Sequence, residues 1–594
     1  MAFLVKISTF ISRLCQFFGG VSLIIIVLTT MLDVTARYIF KLTGGEFGFT
    51  VKGSVEIVSY FMLFSLLAAF AAFVERSQII VDVFTQKMPQ AVKGYMMGIF
   101  MMGFFVIGIV FSWGLYESAI DAIEYGKVTQ DLRLSMMPIY AFSAFLSLLL
   151  AIRSLIESIN IFKTGEFFDA EETGALVVMI LLVVLRVPVA LAMLGVGLVG
   201  FGAVTAPSGA LQMLKDIPVD VLAKYDFSAI PLFILMGVFA THSGMAGKLF
   251  EATRTIFGGV RGSLGIAGIG SSGIFASISG SSLATASTMT KVALPQMEKY
   301  GYQPGFACGI LAAGGTLGIM IPPSIALLVY AILTQQSVGD MFIAGFLPGM
   351  LGMVMYSITV MIMVRWKPHL ARRGESTTWK EKLISLTGLI PFSFIFIVII
   401  AGIFFGLFTP TEGAAVGAFV SWAYAFVKGM RMKGLKQSLI ETLALSAVVF
   451  FMLLGAEALG YFISVSRLSY TLATWIGTLA VSPMVVLICI LIMYFLLGLF
   501  MDALAMLVIT IPVVYPIIVA LGFDPVWFGI IAVLTVELGL ITPPMGMNIF
   551  VIKAMAPHIK LSDMFRGVAP FIVSDVIRLV ILVAFPAISL VLLS

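Results

Sequence analysis

Charge and cysteine are scarce in this chain of 594 residues. Only 11% of the residues are Asp, Glu, Lys or Arg, against about 25% in an ordinary soluble domain. Three cysteines, Cys15, Cys308 and Cys489, lie far apart in apolar runs. They form no C-x-x-C pair, which excludes a disulfide framework and leaves them as packing residues. The three histidines, His242, His369 and His558, have no metal-ligand spacing, so they are not expected to hold a metal. The 35 basic residues exceed the 30 acidic ones by five. That surplus is too small to indicate a nucleic-acid partner. "HSGMAGKL" (242–249) carries Gly-Lys but lacks the first Gly and the closing Ser/Thr of a phosphate-binding loop, so direct ATP drive is not expected. No nucleophile–base arrangement points to an enzyme, and no organic cofactor is implied.

What is abundant is apolar side chain: 60% of residues, with a mean hydropathy of +1.12. No water-soluble core could hide that fraction, so the chain is expected to be an all-α polytopic membrane protein. Runs of about 20 apolar residues predict spans near 16–36, 54–74, 95–117 and 135–152. The first lacks a small-residue cleavage site and is read as a retained helix. A polar connection follows, Arg153 to Thr173, with "FKTGEFFDAEET" at 162–173. It divides the chain into parts 1–165 and 166–594. Lys6, Arg13, Arg76, Lys87 and Lys93 place the N-terminus weakly inside. Arg37, Lys41, Lys52, Lys127 and Arg133 lie on the opposite side. The stronger signals are "RWKPHLARR" (365–373), "KEK" (380–382) and "KGMRMKGLK" (428–436), all expected to be cytoplasmic. Two spans, 383–406 and 413–427, lie between them, joined at "TPTE" (409–412).

The second part repeats itself. Shifted by 221 residues, 281–323 aligns with 502–544 without a gap, and eleven of 43 positions are identical. Among them are Pro295/Pro516, Gly301/Gly522, Pro304/Pro525, Gly318/Gly539, Pro322/Pro543 and Pro323/Pro544. The repeats span about 186–365 and 408–594. The first ends in the basic loop at 365–373 and the second in "VLLS", so their orientations are expected to be inverted. Each has an apolar run broken by Gly and Pro, "LGIMIPPS" (317–324) and "LGLITPPM" (538–545). Proline removes helical hydrogen bonds and frees carbonyls. At membrane depth these need a polar partner, and sodium, a hard cation, suits them. Before each break lies a polar interruption, "SISGSSLATAS" (277–287) and "GLFMDALAM" (498–506), read as two re-entrant hairpins with their tips near the midplane. Ser281 aligns with Asp502. Asp502 is a cation ligand or a helix N-cap, and the serines are ligands or packing residues. Glu412, Glu457 and Glu537 could relay protons but better suit capping or snorkelling. Arg467 and Arg186 could attract an anion or anchor at the interface.

These motifs resemble a fused small-plus-large permease of the tripartite ATP-independent periplasmic transporters. The resemblance to the large permease rests on "RVPVALAMLGVG" (186–197), "FASISGSSLATASTMTKVALPQMEKYGY" (275–302), "GIMIPPSIALLVYA" (318–331), "FIAGFLPG" (342–349), "FTPTEGAAVGA" (408–418), "GLFMDALAMLVITIPVVYPI" (498–517) and "GLITPPMGMNIFVI" (539–552). The small-permease part carries "EIVSYFMLFSLLAAFAAFVERSQIIVDVF" (56–84). The resemblance implies an elevator-type transporter with inverted repeats, two re-entrant hairpins and two broken helices. It implies sodium-driven import of an organic acid, delivered by a soluble periplasmic binding protein, through a monomeric permease of the bacterial inner membrane. Substrates in the family include four-carbon dicarboxylates, sialic acid, sugar acids and keto acids. Carried over by motif, the sodium ligands lie near Ser279, Ser281, Ser282 and Gly318, and near Asp502, Gly539, Thr542 and Met545, beside the breaking prolines Pro322, Pro323, Pro543 and Pro544. Ser324, Glu412, Asn548 and Arg467 are candidates for substrate contact or gating. Some fused members have an extra helix between the two parts; here only 162–173 joins them. The alternatives are a carboxylate transporter that works without a binding protein, coupled to sodium or protons, and a membrane scaffold that transports nothing.

Overall fold

The computed structural model describes residues 2–43, 51–75, 90–164, 188–372, 374, 377–468, 471, 474, 481–499, 501–544 and 546–593. Regular structure among them is helical, with one isolated β-bridge between Val128 and Ser135. Ten of the described helices are long and apolar enough to cross a membrane, or up to eleven if one bent pair counts as a span.

In chain order the helices begin with α1 (Ala2–Leu42), α2 (Ser54–Phe73), α3 (Gln90–Glu124), α4 (Met137–Thr164), α5 (Val189–Val204) and α6 (Pro207–Leu222). There follow α7 (Ala229–His242), α8 (Met245–Ile256), α9 (Ser263–Ser279), α10 (Ser282–Lys299), α11 (Pro304–Met320), α12 (Ile325–Leu333) and α13 (Val338–Trp366). Next come α14 (Trp379–Leu386), α15 (Ile390–Phe404), α16 (Pro410–Val427) and α17 (Met432–Val465). The chain closes with α18 (Pro483–Gly498), α19 (Ala503–Ala520), α20 (Pro525–Ile541), α21 (Met547–Met555), α22 (Leu561–Ala584) and the short α23 (Ala587–Leu590).

Two compact units divide these helices: residues 1–232 with 432–472, and residues 233–431 with 473–594. In the first unit several helices are long. α1, α3 and α17 run 41, 35 and 34 residues, or about 50–60 Å at 1.5 Å per residue. α1 packs on α2, α3 on α4, and α5 on α17. A Cβ at Gly197 of α5 would stand 2.5 Å from the Ala458 backbone of α17, so glycine sets that approach. Phe451 of α17 stacks on Phe70 of α2 at 3.8 Å and meets Phe104 of α3 edge-on at 5.2 Å, geometries that aromatic quadrupoles favour.

In the second unit many helices are short, although α13 and α22 run 29 and 24 residues, and many start at explicit signals. Ser281, Gln303, Ser324, Ser337, Thr378, Thr409, Asp502 and Asp524 each accept a backbone N–H from the first turn of the helix that follows, the usual remedy for unpaired first-turn donors. Proline opens α11, α16, α18 and α20, where a missing N–H costs nothing.

Three expectations need correcting. The span expected at 383–406 is two helices, α14 and α15, bent by 50° at residues 387–389, where Gly388 and a proline at the start of α15 stop continuation. Arg153 does not begin a polar loop. It is 2% exposed inside α4, which continues to Thr164, because its donors are met by neighbouring helices. Cys489 is exposed rather than packed inside, on an outward face of the apolar helix α18. The linker at 165–173 and Arg186 lie outside the described residues.

Candidate functional site

The two interrupted regions of the second unit keep one register. Adding 221 to the bounds of α10 (282, 299) gives those of α19 (503, 520), and adding it to α11 (304, 320) gives those of α20 (525, 541). Ser281 and Asp502 cap equivalent helices, as do Gln303 and Asp524. The Pro322–Pro323 and Pro543–Pro544 bonds are both cis.

In the first region α9 ends at Gly280, which sits in the left-handed region at φ 60° and is tolerated there because it lacks a Cβ. Ser281 then caps α10 by accepting from Ala284 N. The Ser279 hydroxyl lies 2.6 Å from Thr285 Oγ1 and 3.5 Å from Ser281 O. Opposite them runs α11 at Gly318, where a Cβ would fall 2.6 Å from Ser281 O and 2.9 Å from Thr285 Oγ1. Three oxygens, Ser279 Oγ, Ser281 O and Thr285 Oγ1, thus share a small volume closed by a bare helix backbone. Oxygen donors in that arrangement suit a hard cation. Ser324 spans the break beyond α11: its hydroxyl donates to Ile319 O and accepts from Leu327 N. Ile325 N reaches Gly280 O at 3.5 Å.

In the second region Asp502 is half-buried and accepts from Leu504 N at 3.0 Å. Gly539 of α20 meets Gly498 of α18 backbone to backbone, since its Cβ would stand 2.5 Å from Gly498 C. Thr542 ends α20 in an extended conformation. Its hydroxyl donates to Leu538 O at 2.6 Å and its N–H to Gly539 O at 3.1 Å. Met545 lies outside the described residues.

The remaining candidates separate. Ser282 turns from Ser279 and Ser281 to the buried Asn548 of α21, whose Nδ2 donates to Ser282 Oγ at 2.8 Å and to Ala312 O at 3.3 Å. That pair joins the first repeat to the second. Glu412 accepts from Thr409 N at 3.0 Å in a capping box at the start of α16. Glu457 pairs with Lys224 at 3.7 Å in the first unit. Arg467, exposed and at φ 52°, also belongs to the first unit.

A family model for the tripartite ATP-independent periplasmic transporter DctM component matches residues 176–588, and one for the DctQ component matches residues 26–164. The chain belongs to this transporter family. It is a fused DctQ–DctM permease, a non-enzymatic multi-pass protein of the bacterial inner membrane. It is 35% identical over 399 residues to the C4-dicarboxylate TRAP transporter large permease DctM of Pseudomonas aeruginosa, covering 65% of this chain and 92% of that one. It is 32% identical to the sialic acid large permease SiaM of Vibrio cholerae (64% and 88% covered). It is 31% identical to the isethionate permease DctMQ of Oleidesulfovibrio alaskensis (69% and 64% covered). In fold it is similar to the crystal structure of the Alcanivorax borkumensis YdaH transporter, with TM-score 0.52, 14% identity, and 67% and 96% of the two chains covered.

The TRAP permease also holds polar residues that sequence reasoning missed. Thr285 completes the oxygen cluster, and its place four residues after Ser281, on the same helix face, was the available signal. Asp575 and Arg578 form a fully buried ion pair of 2.8 Å on α22, and Tyr356 of α13 donates to Asp575. "DVIR" inside the apolar run 571–584 was the clue, because ionisable residues at such positions are costly.

Proposed function

We propose that this TRAP permease is a sodium-coupled importer of an organic acid, and that a soluble periplasmic binding protein hands it the acid. The observation that carries the proposal is the oxygen cluster of Ser279, Ser281 and Thr285 against Gly318. The second region supplies Asp502, a carboxylate able to neutralise a cation, with Gly539, Thr542 and Met545 as its companions. Ser282 lies beside these ligands and, with Asn548, faces the junction of the two repeats. Both are assigned to substrate contact, and Ser324 to clasping the first break. Glu412 is assigned to capping, and Arg467 to attracting an anion in the first unit.

An elevator mechanism is consistent with the helix lengths. α9 and α18 are 17 and 16 residues long, about 25 Å at 1.5 Å per residue, short of a hydrocarbon core of about 30 Å. Each therefore suits one arm of a re-entrant hairpin, with α10 and α19 as the other arms and α11–α12 and α20–α21 as the broken helices. The matched register supports two repeats, and the basic loop after α13 supports their inversion. The DctQ-matched part would enlarge the static scaffold. The named substrates of these three relatives, a C4-dicarboxylate, sialic acid and isethionate, are anions, which supports an organic acid here.

Uptake into proteoliposomes under an inward sodium gradient tests the proposal, with a panel of labelled organic acids and with or without the cognate binding protein. Dependence on both sodium and the protein is the expected result. Sodium-driven uptake without the protein would instead mark a stand-alone carboxylate transporter, and uptake indifferent to sodium would sink the cation assignment.

A further inference from the structure

The second unit contains a chain of polar side chains that none of these roles uses. Glu537 of α20 is fully buried (0% exposed). Its carboxylate faces the Ile319 backbone, two residues before the first break, yet neither oxygen has a hydrogen bond of good geometry. Its electrostatic neighbours are Arg578 and Asp575 of α22. Arg578 pairs with Asp575, and its guanidinium lies 5.5 Å from the centre of the Tyr356 ring. Tyr356 also pairs with Thr316 of α11 at 2.9 Å. One guanidinium therefore serves two buried carboxylates, and the cluster touches both broken helices: α11 at Thr316 and Ile319, and α20 at Glu537.

The backbone has been shaped to admit it. A Cβ at Gly352 of α13 would lie 1.7 Å from Arg578 Nη1. Further along α13, the same glycine series packs on the first break. A Cβ at Gly349 would be 2.8 Å from Ile321 Cγ1, and one at Gly345 would be 3.1 Å from Met320 O. An apolar core of equal volume is usually as stable as a buried ion pair or more so, so packing alone does not account for the cluster.

We propose that Arg578 is a positioning residue: through Asp575, Tyr356 and Glu537 it fixes the spacing between the ends of the two broken helices, so that cation binding at one break depends on the geometry of the other. This rests on the reading that the breaks bind the coupling cation.

Binding of radioactive sodium to the purified full-length permease tests it, read as half-saturation and Hill coefficient. The chains compared are the wild type, Glu537→Gln, and Glu537→Gln with Arg578→Gln, the last removing charge of both signs. The expected result is a wild-type Hill coefficient above one. In at least one properly inserted variant the coefficient falls towards one and half-saturation rises about tenfold, within the range of ordinary coupling energies. A merely structural role would move the thermal midpoint but not the Hill coefficient. The proposal is overturned if every variant that inserts keeps the wild-type curve, if the wild type binds without cooperativity, or if neither variant inserts, which would make the cluster a folding element. A wild type that binds no sodium would instead overturn the cation reading itself, before any variant is compared.

Discussion

Arg153 in the first unit and Arg578 in the second are both buried, 2% and 1% exposed, in helices apolar enough to cross a membrane. Arg153 commits four of its five N–H donors. Nη1 donates to Ala71 O and Ala72 O, both at 2.6 Å, Nε to Ser8 Oγ at 3.1 Å, and Nη2 to Glu75 Oε1 at 2.5 Å. It thereby caps the C-terminal end of α2, where orphan carbonyls favour a cation, and ties α4 to α1. Arg578 has an ion pair to Asp575 but no hydrogen bond of good geometry at Nε, Nη1 or Nη2. The first arrangement joins three segments of the first unit by hydrogen bonds. The second leaves donors without a hydrogen bond and lies in a cluster that touches both broken helices. A buried arginine is thus a fastener or an adjustable contact according to how many of its donors are committed.

The hardest test of this contrast is Arg153→Met. It strands Glu75 and two helix-end carbonyls, and removing one partner of a buried pair typically costs about 3–5 kcal/mol. The expected outcome is little folded protein by size-exclusion fluorescence; a wild-type melting curve would erase the contrast. Gly318→Ala should insert but transport at least about tenfold less, because its Cβ would fall 2.6 Å from Ser281 O and overpacking costs about 1–3 kcal/mol. Uptake per inserted molecule is the measurement. Asp502→Asn should raise the sodium needed for half-maximal uptake several-fold. Its thermal midpoint should scarcely move, since asparagine caps a helix about as well as aspartate; a coupled loss of stability and sodium response would make the residue a cap only. Asn548→Ala removes a buried contact to Ser282 and Ala312, worth about 1 kcal/mol, and should lower affinity for the acid more than for sodium. The smallest effect belongs to Cys489→Ser on the exposed face of α18, expected within about 0.5 kcal/mol by thermal denaturation.

Helix positions in the second unit were legible because proline and glycine act locally. Pro304 and Pro525 open their helices wherever tertiary structure places them, and the register read from eleven identities recurs in the helix bounds. The segment from Ser279 to Ser282 was legible because polar residues stand out in an apolar run, and Asp502 proved to cap its helix, one of the two roles open to it. Partnerships between distant helices were not legible. Nothing local in the sequence says that Arg153 meets Ala71, or that Tyr356 meets Asp575, and a window average counts Arg153 as loop polarity. The bend at 387–389 escaped notice because the run 383–406 is apolar enough to pass as one span.

The cap on α2 also imposes an order on synthesis. Ala71 and Ala72 leave the ribosome some eighty residues before Arg153, so the end of α2 must wait in the translocon or at the interface without its guanidinium. Arg153 in turn enters the bilayer in α4 at a cost of about 2.5–3.5 kcal/mol on insertion scales, recovered only when α2 is already in place. The first part of the chain therefore closes late, and a ribosome stalled before residue 153 would leave three helices whose clasp has not yet been made.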